Sequence, residues 1–525
     1  MFKFLNNLFG NKKTTDEPIG SAYYDQLKKK KEIKKNKPIK IQNTETSVAK
    51  DLNHENIIIT ETSKENYKEL LGFFEKIDKT DGLENKKINL SDSTNFTIEK
   101  WKNAFETTKS STQSDNREIL DIIIGFDFGT SSSKIVANFP FNGDIDSYAF
   151  PVPIEFRSDN HEHCWKSILY YDKDSDFFDV IPKNENSVQL TEIKTSLMNK
   201  TSNKIILKKN NVPFTSEYIS IVYLGLLLRL VKGWVFSDII PKHFKDVSII
   251  QPSWEVNIGL PAAKIDESIT GKYKKTLEFA WMISETKEPI KITNFLNTIN
   301  QSNNELDFLN IRPEVAAQSV GFIQSAMLDY GAYTVVDVGA STLDICIFNY
   351  INIDEIEKQA LFTANVDLLG AESKNWLEIV NKQFQKEFKK IDLKTSIQDS
   401  LSLSLINTKK IRAGTLKEWT SNMPVIICGG GKNSVLHQEA LNNSKQIWNS
   451  ESSGMDGNLK FIDTSIPENL NVNCKKDQYH RLSVAWGLSI EQGEFAKIEL
   501  PKDIKDLPKY RKIDITDRYI GAEHI

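Results

Sequence analysis

Cysteine is scarce. The chain of 525 residues has four, Cys164, Cys346, Cys428 and Cys474, with no Cys-x-x-Cys pair. That excludes a disulfide framework and suggests a reducing compartment. Long apolar runs are missing as well. The longest, Ile219–Phe236, is broken by Arg229 and Lys232. A membrane span needs about 20 mostly apolar residues, so this run is expected to be a buried helix. Net positive charge is absent: the balance is -4. That argues against broad capture of nucleic acid, and no specific nucleic-acid partner is expected. Two nucleotide motifs are missing too. G-x-x-x-x-G-K-[ST] fails because Asn433 follows Lys432, and no G-x-G-x-x-G opens a helix after a strand. P-loop and Rossmann folds therefore drop out. The apolar stretch at the N-terminus is short, and no small-residue cleavage site follows it. The expectation is a cytoplasmic protein without a signal peptide.

What is present points to two or more lobes, since the chain is too long for one small core. Charge is unevenly placed. Residues 1–40 hold 11 Lys against 4 acids, so the remainder carries -11. In residues 1–13, Phe2, Leu5, Leu8 and Phe9 fall near one helical face. Such a face can make a weak membrane-surface contact, which would place the protein at the inner face of the membrane. The alternative is a frayed terminus docked on the body. Residues 1–62 are expected as a basic, partly disordered extension, with Lys28–Lys40 a solvated charge run. Residues 63–118 read as a helical segment and linker, with helices over Ser63–Ile77 and Thr97–Glu106. The organised body is then expected from near Ile119.

From there, short apolar runs alternate with helical patterns, which indicates an α/β fold. Two runs share one plan. "GFDFGTSSSKIVANF" and "VVDVGASTLDICIF" each give an apolar strand, an Asp, a Gly, a turn of small hydroxyl residues and a second strand. The first contains Asp127, Gly129, Thr130, Ser131 and Ser132; the second Asp337, Gly339, Ser341, Thr342 and Asp344. Small-residue turns let backbone N–H groups approach phosphate oxygens. An Asp repels phosphate but suits a hydrated Mg²⁺. Two such hairpins face to face would clamp a nucleoside polyphosphate and its metal. The plain alternative is that both Asp residues cap ordinary turns. A third strand runs into Gly429-Gly430-Gly431, whose exposed backbone could lie against an adenine or ribose. "HEHC" at His161–Cys164 lacks a second ligand pair and reads as a plain loop. Trp254, Trp281, Trp376 and Trp486 read as core or lobe-packing residues.

The order of these elements resembles the superfamily of actins, sugar kinases and heat-shock chaperone ATPases, and within it the DnaK-type chaperone ATPase. The quoted loops resemble its two phosphate loops. "EIKTSLM" resembles the segment with its catalytic Lys, here Lys194, and "FTSEYIS" its helix start at Phe214–Ser220. "VNIGLPAA" (Val256–Ala263), "RPEVAAQSVG" (Arg312–Gly321), "LLGAES" (Leu368–Ser373) and "VAWGLS" (Val484–Ser489) resemble further family segments. The family's Glu before the connecting-segment Pro is Arg312 here, with Glu314 two places later.

The resemblance implies a two-lobed actin-like ATPase fold of duplicated ribonuclease-H-like lobes. Lobe I would span 119–320, lobe II 321–495 with a returning helix, and a polar tail 496–525. It implies ATP or ADP with Mg²⁺ as ligands. Asp127 and Asp337 would hold the metal. Thr130, Ser131, Ser132, Gly339, Ser341, Thr342 and Gly429–Gly431 would face the nucleotide, with Lys409 and Lys410 near the adenine. Lys194, Asp337 and Asp344 would serve catalysis. About 38 residues follow Gly487, too few for a peptide-binding domain with a lid. The expected function is a slow ATP-hydrolysing switch read by a partner protein. The alternatives are a membrane-associated polymerising bacterial actin and, behind it, a small-molecule kinase.

Overall fold

The computed structural model describes residues 89–499 apart from 111–117, 143–144, 184–186, 192, 199–204, 210–211, 262–266, 287–288, 293–294, 296–305, 327–328, 354–355, 375–391, 410–415, 420, 449–457 and 492–496. All of them belong to one compact unit, Glu61–Ile525. The N-terminal extension, the helix expected at Ser63–Ile77 and Trp376 fall outside the described residues, as does the tail apart from Lys497–Glu499, which is not free but forms an edge strand of the second sheet.

The elements run as follows. Helix α1 (Asp92–Ser110) precedes β1 (Glu118–Phe128), β2 (Ser132–Asn138), β3 (Ser147–Ala149), β4 (Trp165–Lys166), β5 (Leu169–Asp172), β6 (Phe177–Asp179) and β7 (Val188–Leu190). Then come α2 (Ile193–Met198), β8 (Ile205–Lys209), β9 (Val212–Thr215), α3 (Ser216–Trp234), α4 (Ile240–His243), β10 (Ile250–Leu260), α5 (Glu267–Glu285), β11 (Leu309–Pro313) and α6 (Glu314–Ala326). The rest is β12 (Gly331–Val338), β13 (Leu343–Ile353), β14 (Ile356–Asp367), α7 (Leu393–Asn407), β15 (Asn422–Cys428), α8 (Val435–Trp448), β16 (Asn458–Ile462), β17 (Leu470–Asn471), α9 (Ser483–Ser489) and β18 (Lys497–Glu499).

Two mixed sheets dominate. One has the order β11-β10-β1-β2-β3-β17 with β4 on β2; the other is β16-β15-β12-β13-β14-β18. The echo in the sequence is an echo in topology. β1 pairs antiparallel with β2 and parallel with β10. β12 pairs antiparallel with β13 and parallel with β15. β1 is apolar without alternation because both its faces are covered, and Ile122 through Phe128 are all buried. Each sheet has its own apolar cluster, around Ile124, Phe126 and Tyr223 in one and Val336, Ile345 and Leu401 in the other.

The apolar run at Ile219–Phe236 forms α3, a core helix as expected. Thr215 caps it by accepting from the Tyr218 N–H. By length and hydropathy Ser216–His243 would pass for a membrane span, but nearly all of its most apolar window is buried in the fold. Its two interrupting cations explain themselves. Arg229 donates to the carbonyl of Ile283 and the hydroxyl of Thr286, both at 2.8 Å. Lys232 donates to Ser284 and pairs with Glu285. Both reach the C-terminal end of α5, where the helix dipole favours cations.

The folded body begins before Ile119. α1 puts Ile98 and Trp101 into the core of the first sheet, and Trp101 Nε1 donates to Asp238 at 2.6 Å. The linker expected through residue 118 thus follows a core helix. Between the sheets, α6 and α9 cross closely. A Cβ on Gly487 would lie 1.7 Å from the Ala317 carbonyl oxygen, so only glycine fits this crossing.

Candidate functional site

The first hairpin turns at Gly129–Ser131. Its carbonyl oxygens face inward: Ser167 Oγ donates to Gly129 O at 2.8 Å and Ser167 N to Ser131 O at 3.0 Å. Thr130 is half-buried and Ser131 exposed, so both hydroxyls are accessible. Ser132 is not. It lies buried opposite Lys166 of β4, so the structure does not bring it to the open side of the turn. Asp127 is buried at the strand end and faces Lys134 across the hairpin, with Nζ 3.0 Å from Oδ2. Lys134 stands seven residues after its Asp, the same offset that separates Asp337 from Asp344. The equal spacing in the two runs is the sequence signal that points to Lys134.

The second hairpin differs in charge. Its register sets Asp337 directly opposite Asp344, two acids on neighbouring strands. Like charges in this position repel. Asp344 is buried, and its Oδ1 has no partner among the described residues. The turn itself is held by Gly339 N donating to Thr342 O at 2.8 Å. The Leu368–Ser373 segment clasps it from outside: Ala371 N donates to Gly339 O at 2.9 Å and Glu372 N to Ala340 O at 2.8 Å. Gly339, Ser341 and Thr342 stay half-buried at the open side.

β15 brings the glycine loop against this turn. Gly429 has φ +81, and a Cβ there would lie 2.0 Å from Asp337 Oδ1. Gly431 N donates to Val338 O at 2.7 Å, while Gly430 is exposed beside the Arg481 guanidinium. Lys409 lies elsewhere. It follows α7, whose Ser400 bonds Asp367 and whose succeeding Thr408 bonds Thr363. Four residues along β14 carry it about 13 Å from the turn. Lys410 is outside the described residues.

α6 links the two hairpins. Glu314 at its start pairs with Lys194 of α2 at 2.5 Å, and both side chains are nearly fully buried. One turn on, Gln318 Nε2 donates to Asp337 Oδ2 at 3.2 Å. Residues four apart share a helix face, so one face of α6 serves both sides. Sequence reasoning left Glu314 without a partner. Arg312 instead pairs with Glu255 at 2.9 Å and donates to the Ile490 carbonyl at 3.3 Å.

The result is one cluster of four carboxyl groups, Asp127, Glu314, Asp337 and Asp344, against two ammonium groups, Lys134 and Lys194. The excess is negative. Burial and the neighbouring Asp127 and Glu314 push Asp337 up to about 6. Burial, Asp337 and Glu314 push Asp344 well above the usual carboxylate range. Burial also raises Glu314, with Lys194 opposing and Asp127 adding to it. For Lys194 burial alone would lower the value; Glu314, Tyr273 and Asp127 outweigh it and hold the ammonium charged. A divalent cation would neutralise this excess. Among the described residues no three His, Cys, Asp or Glu side chains are placed to hold a metal directly. A cation such as Mg²⁺, which keeps most of its waters, suits such a site.

The His161–Cys164 loop is structural. His163 N donates to His161 Nδ1 at 3.1 Å, and Asn473 N donates to His163 Nε2 at 3.1 Å. Each ring uses its other nitrogen toward a carbonyl, His161 to Gln478 and His163 to Phe150. Burial and the nearby Arg481 push His161 down to about 3, so it stays neutral. Trp486 is a core residue, and Trp254 and Trp281 flank the core edge to face at 6.3 Å. The chain matches no protein-family model and no curated protein.

Proposed function

We propose that the protein is an ATP-binding switch that hydrolyses its nucleotide slowly and is read by a partner protein. One observation carries the proposal. Two Asp-x-Gly hairpins, one on each sheet, converge with Glu314 and Lys194 in a single buried cluster with surplus negative charge. The shared strand plan supports assigning the sheets to the two lobes of an actin-like ATPase.

In this account Asp127 and Asp337 hold hydrated Mg²⁺, which supplies charge neutralisation at the phosphates. The accessible groups of Thr130, Ser131, Gly339, Ser341 and Thr342 bind phosphate oxygens, and Lys134 adds a cation at the first turn. Gly429 and Gly430 offer bare backbone to the nucleoside. Lys194, kept protonated by Glu314, stabilises charge on the terminal phosphate, and Asp344, whose Oδ1 has no partner among the described residues, offers an acceptor. Catalysis of this kind is chiefly positioning and electrostatics.

Nucleotide bound to both hairpins would draw the sheets together, and hydrolysis would release them, hinging where α6 and α9 cross. A phosphate-release assay with ATP and Mg²⁺ tests the enzymatic part. Slow turnover abolished in Lys194→Met is expected; turnover equal in the variant and the parent contradicts the assignment. A pull-down comparing the parent with Asp337→Ala would identify a partner that reads the bound state.

A further inference from the structure

Helix α7 is built on a repeat of four residues. From Leu393 to Thr408 the chain reads "LKTS", "IQDS", "LSLS", "LINT": an apolar residue, two variable positions and a hydroxyl, four times over. Four residues are close to one helical turn, so the repeat lays down two neighbouring stripes. The apolar stripe faces the core of the second sheet. Ile397, Leu401 and Leu405 are buried there, and Leu393 packs against the same cluster. The hydroxyl stripe faces β14. Ser400 Oγ donates to Asp367 Oδ2 at 2.5 Å, Asn365 Nδ2 donates to Ser404 Oγ at 2.6 Å, and the Thr408 and Thr363 hydroxyls share a hydrogen bond at 2.5 Å. Helices ordinarily pack on sheets through apolar contacts, and serine is a poorer helix former than alanine. Three polar rungs in this place call for another reason.

The two ladders match in step. Two strand residues advance about 6.6 Å and four helical residues about 6 Å. A slide of α7 by one turn, about 6 Å with a twist of about 40°, therefore sets each residue where its counterpart in the next repeat stood. Ser396 would meet Asp367, Ser400 would meet Asn365, and Ser404 would meet Thr363. Leu393, Ile397 and Leu401 would take the places of Ile397, Leu401 and Leu405. Three rungs and the apolar stripe survive the move. Ser396 is the spare rung: its Oγ donates at 3.0 Å to the Asp392 carbonyl at the cap of its own helix. The slide gives up the surface pair of Lys394 with Glu439 of α8, which is worth little. Two packings so alike make a bistable element, the kind that one-turn shifts require.

We propose that α7 is a one-turn ratchet on β14 whose register is set by the nucleotide site, which rests on the switch proposed above. β14 ends at Asp367, opposite Leu343 at the start of β13, and runs straight into the segment that clasps the second hairpin turn. A Cβ on Gly370 would lie 2.4 Å from the Ala340 carbonyl oxygen, and Ala371 N and Glu372 N donate to Gly339 O and Ala340 O. Clasp and turn therefore move together. Phosphate bound to Gly339, Ser341 and Thr342 shifts the turn, and Asp367, the rung nearest to it, exchanges Ser400 for Ser396. The surface that α7 displays then differs by one turn between the two states, which gives a partner protein something to read.

The test is disulfide trapping in the full chain. Thr363→Cys with Thr408→Cys reports the resting register, because hydroxyls 2.5 Å apart stand where two sulfurs can bond. Thr363→Cys with Ser404→Cys reports the register one turn on. Peptide mapping separates these bridges from the four native cysteines. Without nucleotide the 363–408 bridge should prevail, and ATP·Mg²⁺ should raise the 363–404 bridge about fivefold or more. Adding Ser396→Ala removes the spare hydroxyl and leaves the three resting rungs intact. It should cancel that rise with the melting temperature unchanged. A 363–404 bridge that ATP·Mg²⁺ does not raise, or a rise that Ser396→Ala leaves in place, overturns the inference. Calorimetry on the parent tells this apart from failure of the switch. A parent that binds no ATP removes the switch proposal itself, and the ratchet loses its driver with it.

Discussion

Replacing Asp337 by Asn removes one of the surplus charges while keeping the side chain's shape and its acceptor oxygen for Gln318. Asp337 is pushed up from an ordinary 3.8 to about 6, first by burial and then by Asp127 and Glu314. Its ionised form is therefore disfavoured in the folded state. Stability contributed by the neutral form is fully present below about pH 4 and is lost as pH rises through about 6. A gap of about 2 pH units is worth roughly 3 kcal/mol. Solvent partly reaches Asp337, so screening reduces this to about 1–2 kcal/mol. For a chain of this size that is about 2–4 °C in melting temperature. The assay is a thermal melt of nucleotide-free parent and Asp337→Asn from pH 4.5 to 7.5. The variant should match the parent near pH 4.5 and exceed it by a few degrees at pH 7.5. A variant less stable than the parent at pH 7.5 would refute the claim of surplus negative charge.

Two further outcomes follow from the same geometry. Lys194→Met leaves Glu314 buried without its cation and should cost about 3 kcal/mol in denaturant unfolding, while Lys194→Met combined with Glu314→Gln should recover most of the loss. Additive losses in the double variant would show that the two residues do not act as a pair. Gly487→Ala forces a methyl group into the Ala317 carbonyl and should destabilise by more than about 2 kcal/mol; a melting temperature within a degree of the parent's would mean that α6 and α9 separate easily.

Much of the fold was legible because β1 and β12 are apolar runs interrupted by an acid at one fixed place. A sequence can show such a pattern locally. Both hairpins and the glycine loop were recovered for that reason. The α1 contribution was not, because Ile98 and Trp101 sit among polar residues and the partners of Trp101, Phe150 and Asp238, are far along the chain. Glu314 was missed for a related reason. Motif alignment drew the eye to Arg312, but β11 ends in time for the first turn of α6 to aim Glu314 at Lys194. Ser132 shows the limit of composition: a third small hydroxyl residue in a loop looks like a ligand until the strand register buries it under β4.

The central claim is that the paired hairpins bind ATP with Mg²⁺. Titration calorimetry of the full chain with ATP and Mg²⁺, run beside Asp127→Ala, tests it most directly. The account predicts saturable binding to one site by the parent and at least a tenfold weaker affinity in the variant. No binding by the parent, or an affinity that Asp127→Ala leaves unchanged, would contradict it.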